Sequence, residues 1–250
     1  MTQISEKSII HRDNAKEFIE DYWTKRAPGF KKLRKEELQS EKLQQWQEEI
    51  GSHLPPRQSL KILDIGCGAG FFSILLSAKG HQVTGIDLTE SMIEEATALA
   101  KEENVSARFL VMDAEQLSFP GGTFDAVISR NVTWNLPHPE QAYAEWLRVL
   151  KPGGLLLNYD AEYGRYHQHE YEKEAIYAHK DVTKEMVAQC HQIYHMLDIS
   201  LRNRPRWDLD VLQKLGASAC SADTTVGRRL YSQKDKFYAP APMFSIIAVK

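Results

Sequence analysis

The stretch LKILDIGCGAGFFSILLSAKG, residues 60–80, is the part of the sequence from which the fold can be read. LKILDIG is an apolar run of the length and composition of a buried strand. FFSILLSAKG continues as a helix that Gly80 closes. Between them lie Gly66, Gly68 and Gly70. A glycine-rich turn from strand to helix lets the backbone bend tightly and approach a ligand with no side chain in the way.

Outward from that turn the pattern repeats. HQVTGID, ARFLVMD, FDAVISR and LLLNYD read as further strands, with SMIEEATALAKEEN and PEQAYAEWLRVLKPGG as helices between them. Strands alternating with helices imply parallel pairing through right-handed crossovers. WDLDVLQKLG then reads as a short helix, ACSADTTV as a strand and MFSIIAVK as the last strand. The expected architecture is α/β, a Rossmann-like doubly wound, mainly parallel seven-stranded sheet. An N-terminal helical cover precedes it, and a helical insertion follows the fifth strand. The expected divisions are a cover over 1–58, a core over 59–161, a helical lid over 162–206 and a sheet-completing tail over 207–250.

The cover is charged and helix-like, with Leu43, Trp46 and Ile50 at helical spacing as a packing face and Pro55 and Pro56 at its end. The chain has 250 residues, of which 42% are hydrophobic and 26% charged, and its net charge of -3 argues against a nucleic-acid partner. Three separated cysteines fit a reducing compartment. The polar N-terminus and the absence of a long apolar run predict a cytoplasmic protein with no membrane span.

In an open parallel sheet, ligands bind outside the carboxyl ends of the strands, where the strand order reverses. The glycine turn belongs there. A dinucleotide is one candidate, but Phe71 stands where that fingerprint wants a small residue, which leaves an NAD-dependent oxidoreductase as the alternative reading. Asp87 closes the second strand and suits ribose hydroxyls, which both ligand classes possess.

The ordered set LDIGCGAG, VTGIDLTESMIEEA, FLVMDAEQLSF, FDAVISRNVTWNL and VLKPGGLLLNYD resembles the class I S-adenosylmethionine-dependent methyltransferases, in particular the small-molecule, ubiquinone and menaquinone methyltransferase-like branch. The resemblance covers about residues 60–160. It implies that Asp64 and the Gly66, Cys67 and Gly68 backbone hold the methionine portion of S-adenosylmethionine. It implies Asp87 on the ribose, Leu88 and Met92 on the adenine, and Asp113 on the adenine amino group beside Ala114 and Glu115. Arg130 and Asn131 would lie near the methionine. S-adenosylhomocysteine would be the product. Asp87 as a helix cap and Asp113 as a strand terminator are the structural alternatives.

DYWTKRAPGF resembles a family element that folds over the cofactor, with Trp23 and Phe30 around Ala27 where the family often has tyrosines. Tyr22 or Arg26 could then supply the contact to the methionine carboxylate. Methyl transfer to a small-molecule acceptor needs alignment more than covalent help. Candidates for a base are His138, Asp160 and Glu162, with Tyr159 and Tyr163 as supporting aromatics, and His138 doubles as a plain loop residue. Trp134 suits a pocket wall. The fourth strand ends in RNVTWNL, not the Pro-Pro-aromatic pattern of nucleotide-methylating relatives.

The insertion holds His167, His169, His179, His191 and His195 beside Cys190, and His191 and His195 would share a helix face. No compact metal signature accompanies them, so no metal is assigned. Arg202, Arg204 and Arg206 could grip a substrate anion or form a solvated surface. A non-catalytic S-adenosylmethionine-binding module is the third reading, and the oligomeric state is left open.

Overall fold

A computed structural model of the chain describes residues 14–56, 59–163, 183–233, 235–237 and 241–250. Two helices lead, α1 (Ala15–Leu38) and α2 (Glu41–Gly51). The alternating unit runs β1 (Lys61–Ile65), α3 (Phe71–Ala78), β2 (Gln82–Asp87), α4 (Glu90–Glu102), β3 (Arg108–Val111), β4 (Phe124–Arg130), α5 (Pro139–Val149) and β5 (Leu150–Ala161). After the insertion helix α6 (Lys184–Met196) come α7 (Arg206–Lys214), β6 (Ala219–Asp223), α8 (Val226–Leu230) and β7 (Met243–Val249).

The seven strands form one sheet in the order β3-β2-β1-β4-β5-β7-β6. β1 to β5 pair in parallel, and β7 lies antiparallel between β5 and β6. The expected doubly wound, mainly parallel sheet is therefore the observed one. Its order reverses between β1 and β4, so the turn after β1 and the end of β4 open onto one crevice.

One face of the sheet packs against α2 and α3 through Trp46, Ile50, Phe72 and Leu75, all buried. Trp46 meets Phe72 and Tyr159 edge-on, with ring centroids at 4.9 Å and 5.0 Å. The stripe at Leu43, Trp46 and Ile50 is thus the packing face its spacing predicts. The opposite face is covered by α5 and α7 through Tyr143, Trp146, Leu147 and Leu212.

Two local expectations are corrected. The helix before the fifth strand stops at Val149, and residues 150–154 already belong to β5 as an irregular lead-in, where the register with β4 shifts between Phe124 and Ala126. Gly154 fits there because an added Cβ would lie 2.8 Å from the Lys151 carbonyl oxygen. The strand expected over 219–226 ends at Asp223, whose Oδ1 accepts from the Thr225 amide at 2.7 Å and turns the chain into α8. Helix α1 runs straight through Pro28, which sits with Gly29 on its exposed side.

Candidate functional site

The crevice is a cavity of about 650 Å³. Its floor is the glycine turn. Gly66 has φ +60°, and a Cβ there would come within 2.4 Å of the Val132 side chain. Gly68, at φ +51°, donates its amide to Asp87 Oδ2 at 2.9 Å, and the Cys67 amide bonds the Ile86 carbonyl at 2.9 Å. The turn is therefore tied to the end of β2 by two hydrogen bonds. Asp87 Oδ1 accepts from the Thr89 amide at 2.9 Å. Thr89, not Asp87, is the N-cap of α4, so Asp87 braces two loops while facing the cavity. Burial raises its carboxyl above the usual range.

Asp64, one residue before the end of β1, has its carboxylate almost fully enclosed, and burial pushes it up to about 7 against the opposing pull of the Ser73 hydroxyl, 2.7 Å away, and of Arg130. Arg130 ends β4. Its guanidinium forks onto Glu37 at 2.9 Å and 3.2 Å and lies over the rings of Phe71, Phe72 and Trp46 at 4.6 to 5.1 Å. Arg34 bonds the same carboxylate. Burial would raise Glu37, but Arg130 and Arg34 outweigh it and hold the group below its ordinary range. Asn131 follows at φ +60°, and its buried Oδ1 has no hydrogen-bond partner in the protein.

At the far wall, Asp113 Oδ1 accepts from the Glu115 amide at 2.8 Å, and the Ala114 carbonyl accepts from Trp146 Nε1 at 2.9 Å. Lys16, in the first turn of α1, reaches across to Asp113 at 2.5 Å and Glu115 at 2.6 Å. Burial would lower the ammonium, but these two carboxylates outweigh it and raise it. All thirteen residues expected to contact a cofactor line this one cavity: Trp23, Asp64, Gly66, Cys67, Gly68, Asp87, Leu88, Met92, Asp113, Ala114, Glu115, Arg130 and Asn131.

The candidate bases fare differently. His138 caps α5 outside the cavity, with Nδ1 3.1 Å from Glu115 and a half-exposed ring. Tyr159 is buried under Trp46, and burial raises its phenol. Asp160 is enclosed, accepts from the Trp134 amide at 2.9 Å and pairs with Arg204 at 2.9 Å. Arg204 also bonds Asp208, which accepts from the Tyr143 hydroxyl at 2.6 Å. Glu162 accepts from the Arg204 amide at 3.1 Å and also lies off the cavity. None of the three arginines near Trp207 lines the cavity: Arg204 is locked in this network, Arg206 pairs with Asp210, and Arg202 lies over the Trp207 ring. Tyr163 and Trp134 do line it.

The helices supply what the motifs omit. Lys16, Ile19, Trp23, Arg26, Phe30, Leu33 and Arg34 form one face of α1 over the cavity, and Glu37 continues it. The three-and-four spacing was present in the sequence, but its charged members hid it from a search for apolar periodicity. From α6, Val187, Cys190, His191 and Tyr194 face in, whereas His195 is exposed. His167, His169 and His179 lie outside the described residues. Among the described residues no three metal-ligating side chains gather, and no helix is long and apolar enough to cross a membrane.

The strand order, the glycine turn and the acids near successive strand ends agree with the resemblance to the class I methyltransferases. Residues 63–158 match the family described as "Methyltransferase domain". The chain is 43% identical over 105 residues to 2-methyl-6-phytyl-1,4-hydroquinone methyltransferase of Synechocystis, a match covering 42% of this chain and 32% of that protein. It is 36% identical over 110 residues to ubiquinone biosynthesis O-methyltransferase of Rickettsia canadensis, covering 44% and 46%. The matches thus span less than half of these relatives' lengths. Among solved structures, a SAM-dependent methyltransferase of Thermotoga maritima, titled a possible histamine N-methyltransferase, superposes with TM-score 0.60 over 92% of this chain and 99% of that one, at 18% identity. The [4+2]-cyclase SpnF superposes with TM-score 0.56 over 82% and 80%, at 17% identity.

Proposed function

We propose that this protein is an S-adenosylmethionine-dependent methyltransferase acting on a small-molecule nucleophile, chiefly by positioning. The observation that carries the reading is the convergence of thirteen residues, expected from scattered motifs, on one cavity. The site suits such a cofactor. Gly68 leaves its side of the turn open, a Cβ there meeting only Phe30 at 3.9 Å, and Asp87, which accepts from the Gly68 and Thr89 amides, turns its carboxylate to the cavity where a ribose hydroxyl would donate. The orphaned Asn131 Oδ1 offers an acceptor near the methionine position.

The cofactor would supply a methyl group on a positively charged sulfur, a leaving group that needs no further activation. The protein holds the partners in line and excludes water beneath α1, and such positioning is worth on the order of 7 to 11 kcal/mol. His138, Tyr159 and Asp160 stand away from the cavity, so this reading gives them supporting places and assigns no base to them. The divisions at 58, 161 and 206 serve it as roof, core and lid, and we place the protein in the cytoplasm.

The same fold carries a cyclase, so the reading is tested by chemistry. S-adenosylhomocysteine at about 100 times its dissociation constant should stabilise the protein by roughly 2.7 kcal/mol in a thermal melt, and NAD should not. Asp87→Ala should abolish that shift. Stabilisation by NAD alone overturns the proposal in favour of an oxidoreductase. Label from the methyl donor that never reaches any acceptor in a small-molecule panel favours the binding module.

A further inference from the structure

Helix α1 carries a proline and a glycine side by side at its middle, Pro28 and Gly29, both exposed. Pro28 has no amide hydrogen to give to the Thr24 carbonyl, and its ring crowds the preceding turn. A Cβ at Gly29 would meet nothing within 4 Å, so packing does not demand a glycine there. These are the two residue types that a helix interior tolerates least. The roof is therefore weakest at its solvent-facing middle.

The halves on either side of that point belong to different hydrophobic clusters. Leu38 packs in the cluster of Trp46, Phe72 and Leu75, while Glu37 is held by Arg130 and Arg34, and Lys31 and Lys35 reach Glu102 of α4 at 3.1 Å and 2.6 Å. The second half of α1 is thus fixed to the core. Ile19 and Tyr22, from the first half, pack instead in a separate cluster with Ile193 and Tyr194 of α6 beside Trp134. Gln189 of α6 donates to Asp21 at 2.7 Å. The ties of this half to the strand-end loops are lighter. Lys16, 36% exposed, rests on Asp113 and Glu115, and the Asn135 amide, with its nitrogen on the Val132 carbonyl at 2.7 Å, accepts from Trp23 Nε1 at 3.0 Å.

We propose that residues 15–27 and α6 are one lid, hinged at Pro28 and Gly29. Lys16 and Trp23 carry it over the glycine-turn end of the cavity, and Val187, His191 and Tyr194 over the end lined by Trp134. Because the two pieces share one hydrophobic cluster, the two ends open together, and neither ligand exchanges while the lid is shut. That the ligands are a methyl donor and its acceptor rests on the methyltransferase reading.

The test is amide hydrogen exchange on the full chain, with and without S-adenosylhomocysteine. Without ligand, amides 19–27 and 188–196 should share one protection level, about tenfold or more below that of 31–38, as one locally opening unit does. Saturating S-adenosylhomocysteine should raise both by the same factor and leave 31–38 within about twofold. Gly29→Ala touches no lining residue, and it should slow both association and release of S-adenosylhomocysteine about fivefold while the dissociation constant stays within about threefold. Fluorescence follows those rates, since Trp23 lines the cavity. An even protection profile from 19 to 38 overturns the proposal, and so does an α6 that exchanges independently of the first half of α1. Unchanged rates in Gly29→Ala count against the hinge equally. Failure of S-adenosylhomocysteine to bind at all counts against the methyltransferase reading, and the ligand-free exchange pattern then decides the hinge by itself.

Discussion

The two ends of the cavity are built by different means. The inner end is made of strand termini and the loops that follow them, and its geometry is fixed by backbone hydrogen bonds: Gly68 and Thr89 to Asp87, Cys67 to Ile86, Glu115 to Asp113. The outer end is made of side chains from α1, α6 and the Trp134 segment, held by ring contacts and by a buried polar network behind them. A site with both kinds of construction can keep its cofactor geometry while the acceptor wall changes. The inner end should therefore survive damage to the outer one.

The largest effect should come from breaking the network. Arg204 is 4% exposed and balances two enclosed carboxylates, Asp160 and Asp208, while Asp160 holds the Trp134 amide. Arg204→Met would leave both acids without their cation, which costs about 3 to 5 kcal/mol when one partner of a buried pair is removed. Urea unfolding measures the loss. In the fraction that remains folded, S-adenosylhomocysteine should bind within about threefold of the parent affinity, while the tryptophan emission shifts with the displaced Trp134. A loss of S-adenosylhomocysteine binding that accompanies the shift would show that the two ends are a single unit. The gentler Asp160→Asn keeps the test open if Arg204→Met does not fold.

How much of this was legible in the sequence follows the same division. The inner end could be read because its motifs resemble a known family and fall near strand ends in an alternating pattern, and the sheet brings Asp64, Asp87, Asp113 and Arg130 to one cavity. The outer end could not. Whether Tyr159 or Tyr163 faces the cavity depends on side-chain direction along and beyond β5, and Asp160 was a reasonable base until Arg204, 44 residues away, took its carboxylate. Lys16 and Glu37 are ordinary helix residues until α1 is laid over the sheet. Their partners Asp113 and Arg130 lie 97 and 93 positions away.

A middle-sized effect should appear at Asp64. Burial pushes its carboxyl up to about 7, so the folded state binds the proton more tightly than the unfolded one. The stability this contributes is complete below about pH 4 and is lost as pH rises through about 7. Asp64→Asn should flatten that part of the stability profile. A sulfonium nearby would draw the group back to its ionised form, so S-adenosylmethionine binding at pH 6 should release close to one proton and tighten by up to about tenfold per pH unit between 6 and 7. Calorimetry in buffers of different ionisation enthalpy counts the proton. Binding with no proton released would place Asp64 outside the cation's reach.

The smallest effect concerns Lys16, where the roof touches the inner end. Its ammonium occupies the Asp113 carboxylate that the proposed adenine amino group would use, so cofactor and roof compete for one acceptor. The lysine side chain is 36% exposed, and partly exposed pairs of this kind contribute only about 0.2 to 1 kcal/mol. Lys16→Met should accordingly tighten S-adenosylhomocysteine no more than about fivefold and remove part of the salt dependence of binding, with little change in melting temperature. A weakening would mean that Lys16 closes over the bound cofactor and does not yield to it. In that case the roof would be part of the inner end, and the line between the two constructions would run through α1 at Trp23.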